Sequence, residues 1–209
     1  ARGGNSGLQD ADNLAWKLAA VVRGEADERL LDSYDAERLP ATDENLLNST
    51  RSTDFMTPKS NVSRAFRDAV LELARDHPFA RRLVNSGRLS LPGRYENSPL
   101  NTPDLASFAT GPAPGSPAVD APLDNGWLLD QLATNRFTLL CFGDNETRDS
   151  MADIATVQVQ DLSSTAARRY DAQAGTTYLF RPDQHVAARW RSMDEGAVRE
   201  AQARALAHR

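Results

Sequence analysis

The stretch "RFTLLCFGD" at residues 136–144 is a short apolar run that ends in turn-forming residues. A run of this length, followed by Gly and Asp, is typical of a strand buried inside a sheet. Further along, "IATVQVQ" at 154–160 alternates apolar and polar residues, and "TTYLFRPDQHVAARW" at 176–190 indicates two antiparallel strands around a Pro-Asp turn. These segments predict a mixed sheet in a small α/β domain.

Helical patterns surround these strands. Residues 127–132 and 195–207 are predicted to be helices, and two more helices are expected between the strands, which gives the order helix, strand, helix, strand, helix, hairpin, helix. The single cysteine, Cys141, lies inside the first strand. It excludes an internal disulfide and a CxxC redox pair, and its apolar neighbours predict a buried, unreactive thiol.

The N-terminal part of the chain is predicted to be helical throughout. Its first helix spans Leu8 to Val22, with Ser6 and Gln9 as a capping box and Gly24 as the left-handed end. One buried face is predicted for it, formed by Leu8, Ala11, Ala15, Leu18, Ala19 and Val22. The later helices are expected at Glu28–Leu39, from Pro40 to Phe55, and at Val62–Arg75 with Phe66, Val70, Leu73 and Ala74 on one side.

Between Pro92 and Pro122 lie seven of the eleven prolines, without helical or strand periodicity. This composition predicts an extended connection and a domain boundary near Gly115. The expected organisation is therefore a helical part at residues 1–90, a Pro/Gly-rich connection at 91–114 and an α/β domain at 115–209.

Composition excludes several classes of function. The 24 basic and 29 acidic side chains give a formal charge of -5, and no basic run with interleaved aromatic residues is present, so a nucleic-acid partner is not expected. Neither a long apolar segment nor a signal-peptide pattern occurs, so we expect no membrane partner. A cytoplasmic location is the default expectation.

Residue patterns for common catalytic and metal sites are weak. The stretch "GNSGL" around Ser6 lacks the strand and the last glycine of a nucleophile elbow, and His77, His185 and His208 lack the spacing of metal ligands. No metal site is predicted, and no catalytic residue is identified. Asp10 and Asp12 are explained as well by favourable charge near a helix N-terminus as by general acid or base chemistry.

The glycine-rich opening is the strongest candidate site. A helix N-terminus offers unpaired N–H groups and a partial positive charge, and glycines let a ligand approach the backbone. The residues involved are Gly3, Gly4, Asn5, Ser6 and Gly7. No phosphate-loop or dinucleotide fingerprint is present, so a simple glycine-rich cap and a cradle for an anion or carbonyl remain equal alternatives.

Four segments resemble a known family. Residues 1–40, "ARGGNSGLQDADNLAWKLAAVVRGEADERLLDSYDAERLP", look like the last conserved motif of the FAD-dependent aromatic hydroxylases, the flavoprotein monooxygenases of the phenol hydroxylase and 3-(3-hydroxyphenyl)propionate hydroxylase kind. Residues 86–101, 126–144 and 178–190 are similar to later segments of these enzymes. The resemblance implies the end of an FAD-binding domain followed by a thioredoxin-like domain, here without CxxC.

The same resemblance implies roles for the opening residues. In the family, backbone amides of this glycine-asparagine loop approach the pyrimidine end of the flavin, a role that carries over to Gly4, Asn5 and Ser6, with Gly3 and Gly7 allowing the approach. Implied partners are FAD, NAD(P)H, a phenolic substrate and the missing N-terminal FAD/substrate region, and a homodimer stays open. Because the other nucleotide-binding motifs are absent, we expect this fragment to be inactive alone and not to retain FAD.

Two functions follow from these expectations. The first is an oxidoreductase fragment, the C-terminal part of an aromatic-ring monooxygenase. The alternative is a non-catalytic assembly or interaction module with a redox-inactive thioredoxin-like fold.

Overall fold

The computed structural model describes residues 3–84, 93–144 and 151–208. By their contacts the residues form two compact units, one of Ala1–Leu8 with Leu39–Gly93 and one of Gln9–Arg38 with Arg94–Arg209. These units group the chain differently from the ranges 1–90, 91–114 and 115–209, which stay a prediction. None of the described helices combines the length and apolarity that a membrane crossing requires.

Helix α1 spans Gly3–Val22 and ends as predicted. Gly24 has a φ of 71°, its N–H donates to the Val21 carbonyl, and the Glu25 N–H donates to the Ala20 carbonyl. This pair of bonds is a Schellman motif, which needs the left-handed conformation that glycine adopts without strain. The predicted capping box is wrong, because the helix begins before Ser6 and the glycine-rich opening forms its first turns rather than a loop.

The buried face of α1 also differs from the prediction. Leu8, Leu18 and Val22 are exposed, at 72%, 43% and 84% of their surface. The face that the second unit buries carries instead Asn13, Trp16, Lys17 and Ala20. Hydrophobic periodicity located the helix correctly but assigned the wrong face as buried. It favoured the apolar stripe because asparagine and lysine are rarely buried without partners.

The next helices depart from the prediction around Pro40. A short 3-10 helix at Glu28–Leu30 precedes a single helix α2 at Ser33–Met56, with Pro40 inside it. Proline in a helix interior removes one backbone hydrogen bond and costs about 3 kcal/mol, so local sequence favoured a break there. The helix nevertheless continues through Pro40.

Helix α3 at Asn61–Asp76 confirms the predicted helix at 62–75. It begins after Ser60, whose hydroxyl accepts a hydrogen bond from the Ser63 N–H at 3.1 Å. A short helix α4 at Pro78–Val84, which was not predicted, follows it. The beginning of the predicted connection, residues 91 and 92, lies outside the described residues.

The second unit contains both sheets. A two-residue pair, β1 at Pro122–Leu123 and β2 at Gly126–Trp127, precedes the four-stranded sheet. That sheet comprises β3 at Thr138–Phe142, β4 at Ala155–Val159, β5 at Thr177–Phe180 and β6 at Val186–Trp190. The strand order is β4-β3-β5-β6, with β3 and β4 parallel and the other neighbours antiparallel. The predicted mixed sheet and its hairpin are therefore confirmed.

Helices cover both faces of the four-stranded sheet. On one face, Leu139, Cys141 and Leu179 pack with Trp16 of α1 and with α7 at Glu195–Ala205. On the other face, the sheet packs against α5 at Leu128–Gln131 and α6 at Thr165–Arg169. The predicted helix between β3 and β4 would include residues 145–150, which lie outside the described residues.

The segment from residue 93 to 121 has no regular helix or strand, as its prolines predicted. It is nevertheless tied to the open edge of the sheet: the Gly115 N–H donates to the Val186 carbonyl, and the Val186 N–H donates to the Ser116 carbonyl. Gly115 has a φ of 82°, and a side chain there would collide with the Tyr95 carbonyl. The segment is thus part of the packed unit and covers one sheet edge.

Candidate functional site

The N-terminus of α1 carries the residues that the sequence singled out. The N–H groups of Gly3, Gly4 and Asn5 lie in the first turn and have no carbonyl partner within the helix. No acidic side chain lies in that turn. Gly4, Asn5 and Gly7 are exposed and Ser6 is half-buried. The five predicted site residues therefore share one helix end, and its partial positive charge is not neutralised by an acidic residue of the first turn.

Neither Gly4 nor Gly7 is explained by packing within the described part of the chain. A Cβ atom built at either position meets no atom within 4 Å. Glycine in a helix costs roughly 0.5–1 kcal/mol relative to alanine. Two such positions without a steric reason are consistent with a partner that must come close to this backbone.

A buried polar cluster holds the middle of α1 within the second unit. Its centre is Glu37 of α2, whose carboxylate accepts hydrogen bonds from Lys17 at 2.7 Å, from Asn13 at 2.7 Å and from Arg181 at 2.5 Å and 3.1 Å. Ser98 donates to the same carboxylate at 2.5 Å. The side chains of Lys17, Glu37 and Arg181 are fully inaccessible to solvent.

The hairpin turn supplies the other half of this cluster. Arg181, directly after β5, also donates to Asp183 through Nε at 2.9 Å and through a short Nη2 contact. Asn13 reaches the same Asp183 carboxylate at 3.4 Å and accepts from Lys17 at 2.9 Å. Two cations, Lys17 and Arg181, thus face two anions, Glu37 and Asp183. This balance is what a buried ionic cluster needs in order to persist.

The charges in the cluster shift one another's pKa values. Burial alone would raise the pKa of Glu37, but the Arg181 and Lys17 charges outweigh it and hold the pKa at about 2. Burial likewise opposes ionisation of Asp183, and Arg181 lowers its pKa well below the usual range. The pKa of Lys17 is lowered by burial against the attraction of Glu37. Both carboxylates are therefore ionised at neutral pH.

A second clamp lies closer to the N-terminal end of α1. Buried Arg38 of α2 donates to Asp10 of α1 at 2.7 Å and to the Tyr95 hydroxyl at 3.2 Å. It also reaches Gln9 at 3.4 Å. Asp10 is thus engaged in an ion pair within the protein, and Gln9 bonds Arg38 rather than capping the helix.

The remaining titratable candidates show no catalytic arrangement among the described residues. His185 stacks on Tyr95 with ring centroids 4.3 Å apart, and its Nδ1 lies 2.9 Å from the Asp183 carbonyl. Cys141 is fully buried, and burial raises its pKa to about 11. Within the same residues, no group of His, Cys, Asp and Glu has the geometry of a metal site.

Sequence reasoning missed the buried cluster. The only signals were Asn13 and Lys17 one turn apart on α1 and the Arg-x-Asp pattern in the hairpin turn. Both patterns are common on solvated surfaces, and Glu37 gives no sign of its burial. Only the assembled fold shows that these residues meet.

Comparison with known proteins gives a family match for the first helices of the chain. Residues 1–49 match the family described as FAD binding domain. A 3-(3-hydroxy-phenyl)propionate/3-hydroxycinnamic acid hydroxylase of Mycolicibacterium smegmatis is 33% identical over 166 residues, which cover 78% of this chain and 29% of that protein. The chain therefore spans less than a third of the length of this curated relative.

Two solved structures resemble the fold over nearly the whole chain. The flavin-dependent monooxygenase PieE, solved in complex with FAD and substrate, has a TM-score of 0.74 at 24% identity and matches 98% of this chain and 44% of its own. The rebeccamycin biosynthetic enzyme RebC, solved with reduced flavin, has a TM-score of 0.73 at 25% identity and matches 99% of this chain and 42% of its own. In both, more than half of the protein lies outside the match.

Proposed function

We propose that this chain belongs to the FAD-dependent aromatic hydroxylases and is the C-terminal part of an enzyme that hydroxylates a phenol-type aromatic ring with O2 and reducing equivalents from NAD(P)H. The observation that carries the proposal is the N-terminus of α1. It lies in the part of the chain that matches an FAD-binding domain, and its backbone is open to a ligand.

The residues present fit one wall of a flavin site. The N–H groups of the first turn can donate to the carbonyl oxygens and ring nitrogen at the pyrimidine end of the isoalloxazine. The open positions at Gly4 and Gly7 leave room for a planar ring against the backbone. The bound flavin supplies the redox chemistry. The contribution of α1 is a set of fixed donors whose positive potential favours negative charge on the reduced ring.

The apolar stripe of α1 supports the view that this wall is only one of several. Leu8, Leu18 and Val22 are exposed on the side opposite to the buried Asn13 and Lys17. An apolar stripe of this kind on a helix is normally covered. We propose that the rest of the FAD-binding domain covers it and completes the flavin site.

Several finer features are part of the proposal. The strand order β4-β3-β5-β6, with a parallel pair followed by an antiparallel hairpin and a final helix, supports a thioredoxin-like fold for the second unit. Its buried Cys141 has no second cysteine to form a redox pair. This domain would serve as scaffold rather than reductase. A cytoplasmic location is proposed as the default for a chain with a single cysteine, and a homodimer stays open.

The test uses the intact enzyme with Gly4→Leu and, as matched control, Gly196→Leu in the first turn of α7. A side chain at Gly4 would enter the space that the flavin needs, so we expect the FAD dissociation constant to rise about tenfold or more, with slower hydroxylation. The control should bind FAD as the wild type does. Unchanged FAD affinity and turnover in Gly4→Leu would contradict the proposed site and favour the assembly-module alternative.

A further inference from the structure

We propose that the buried cluster of Asn13, Lys17, Glu37, Arg181 and Asp183 is a positioning device that fixes helix α1 on the β5–β6 hairpin and so sets where the N-terminal amides of α1 meet the flavin. This inference rests on the proposed function of that helix end. It gives the C-terminal domain, which has no redox pair of its own, a direct role in the flavin environment.

The cluster joins the parts of the chain that such a role requires. Asn13 and Lys17 lie on one face of α1, in the stretch that matches an FAD-binding domain, as does Glu37. Arg181 and Asp183 come from the hairpin turn of the four-stranded sheet. Arg181 lies 144 residues after Glu37 in the chain. The contacts therefore connect the flavin-binding part of the chain to the C-terminal sheet.

The chemistry of the cluster fixes geometry more strictly than an apolar contact would. The hydrophobic effect has no preferred direction, whereas each hydrogen bond here has a preferred direction and distance. Arg181 binds Glu37 through two nitrogens, and the carboxylate is also held by Lys17, Asn13 and Ser98. A rotation or slide of α1 would leave a buried charge unpaired.

Small changes at the cluster would be amplified at the helix end. Asn13 lies nine positions after Gly4 in the continuous helix α1, which corresponds to about 14 Å along the helix axis. A tilt of about 10° at the cluster would move the first turn by about 2 Å, a displacement that breaks a hydrogen bond. The Arg38–Asp10 ion pair, closer to that end, restrains the same helix.

The experiment compares variants of the intact enzyme. Arg181→Lys keeps the charge but removes the two-nitrogen contact with Glu37, and Asn13→Ala removes the amide that links both carboxylates to α1 while leaving all four charges in place. The matched control is Arg189→Lys. Arg189 of β6 makes an equivalent two-nitrogen contact with Asp104, at 3.0 Å and 2.6 Å, and does not belong to the cluster.

The readouts are the FAD dissociation constant and the midpoint potential of the bound flavin, measured well below the unfolding temperature of each variant. We expect Asn13→Ala and Arg181→Lys to weaken FAD binding about fivefold or more and to shift the potential to more negative values, because misaligned amides favour the reduced flavin less. Arg189→Lys should leave both quantities unchanged. If Arg181→Lys does not fold, Asn13→Ala alone decides.

Two results would overturn the inference. Wild-type affinity and potential in the folded cluster variants would show that the cluster only contributes stability, and an equal shift in Arg189→Lys would show an unspecific effect of altering the domain. Gly4→Leu separates this failure from that of the proposed function. If Gly4→Leu weakens FAD binding and the cluster variants do not, only the positioning role is wrong; if Gly4→Leu also has no effect, both fail.

Discussion

At the scale of single residues, Glu37 is the carboxylate at the centre of the buried cluster. It is fully buried and accepts hydrogen bonds from Asn13, Lys17, Ser98 and Arg181. A carboxylate in this position stays ionised only because cations surround it. Its ionisation is therefore linked to the folded state, and stability should depend on pH through it.

We expect Glu37 to stabilise the fold above pH 4.5 and to lose this contribution as the pH falls towards 2. The folded pKa is lowered from 4.5 to about 2, so the folded state binds the proton less readily than the unfolded state does. The stabilisation is fully present above the unfolded value and corresponds to about 3 kcal/mol. Denaturant unfolding of the wild type and of Glu37→Gln between pH 7 and pH 2 measures it.

In Glu37→Gln, the loss of stability over this pH range should be smaller. At pH 7 the variant should be less stable by about 3–5 kcal/mol, because two buried cations, Lys17 and Arg181, then face a single anion, Asp183. Asp153→Asn is the control. Asp153 pairs with Arg199 at 2.6 Å, but the pair is exposed to solvent and should contribute at most about 1 kcal/mol. Parallel pH profiles for the wild type and Glu37→Gln would contradict the linkage.

At the scale of elements, helix α1 combines two faces with opposite roles. Its polar face is buried against the hairpin, and its apolar stripe is exposed in this chain. The helix carries glycines at both ends, but for different physical reasons. Gly24 is required by backbone conformation, whereas Gly4 and Gly7 are helical and meet no neighbour.

We expect Gly7→Ala and Gly24→Ala to change the stability of this chain in opposite directions. Alanine at position 7 fits the open space and should stabilise α1 by roughly 0.5–1 kcal/mol, since it restricts the unfolded chain. Alanine at position 24 must adopt a φ of 71°, and the resulting strain should destabilise the chain by about 1 kcal/mol. Thermal or denaturant unfolding of the two variants provides the comparison. A destabilising Gly7→Ala would reveal a steric role for this glycine within the chain.

At the scale of the whole molecule, the chain holds an α/β unit and contributes one helix N-terminus to the proposed flavin site. The described residues supply one helix N-terminus, and the remainder of the curated relative, 71% of its length by difference from the 29% matched, lies outside the chain. A cofactor as large as FAD needs several walls to recover the entropy lost on binding.

The purified chain is therefore expected to bind neither FAD nor NAD(P)H in a stoichiometric complex. Incubation with FAD, removal of free cofactor and an absorbance spectrum in the flavin bands measure this directly. The same chain within the full-length enzyme serves as the control and should remain yellow. A stoichiometric yellow complex of the chain alone would show that α1 and its neighbours form a sufficient site.

The sequence by itself determined the local structure of this protein. Apolar runs and turn residues located β3 and the β5–β6 hairpin, Gly24 marked the end of α1, and the long motif at residues 1–40 indicated a flavin-binding family. These features depend on neighbouring residues and on backbone preferences, which are encoded locally.

Only the tertiary structure decided which face of α1 is buried, that α2 continues through Pro40, and that Glu37 meets Arg181. Each of these outcomes depends on partners far away in the chain. A buried lysine or glutamate is stable only when an opposite charge is placed beside it. The free energy that settles these positions comes from contacts that exist only once the chain has folded.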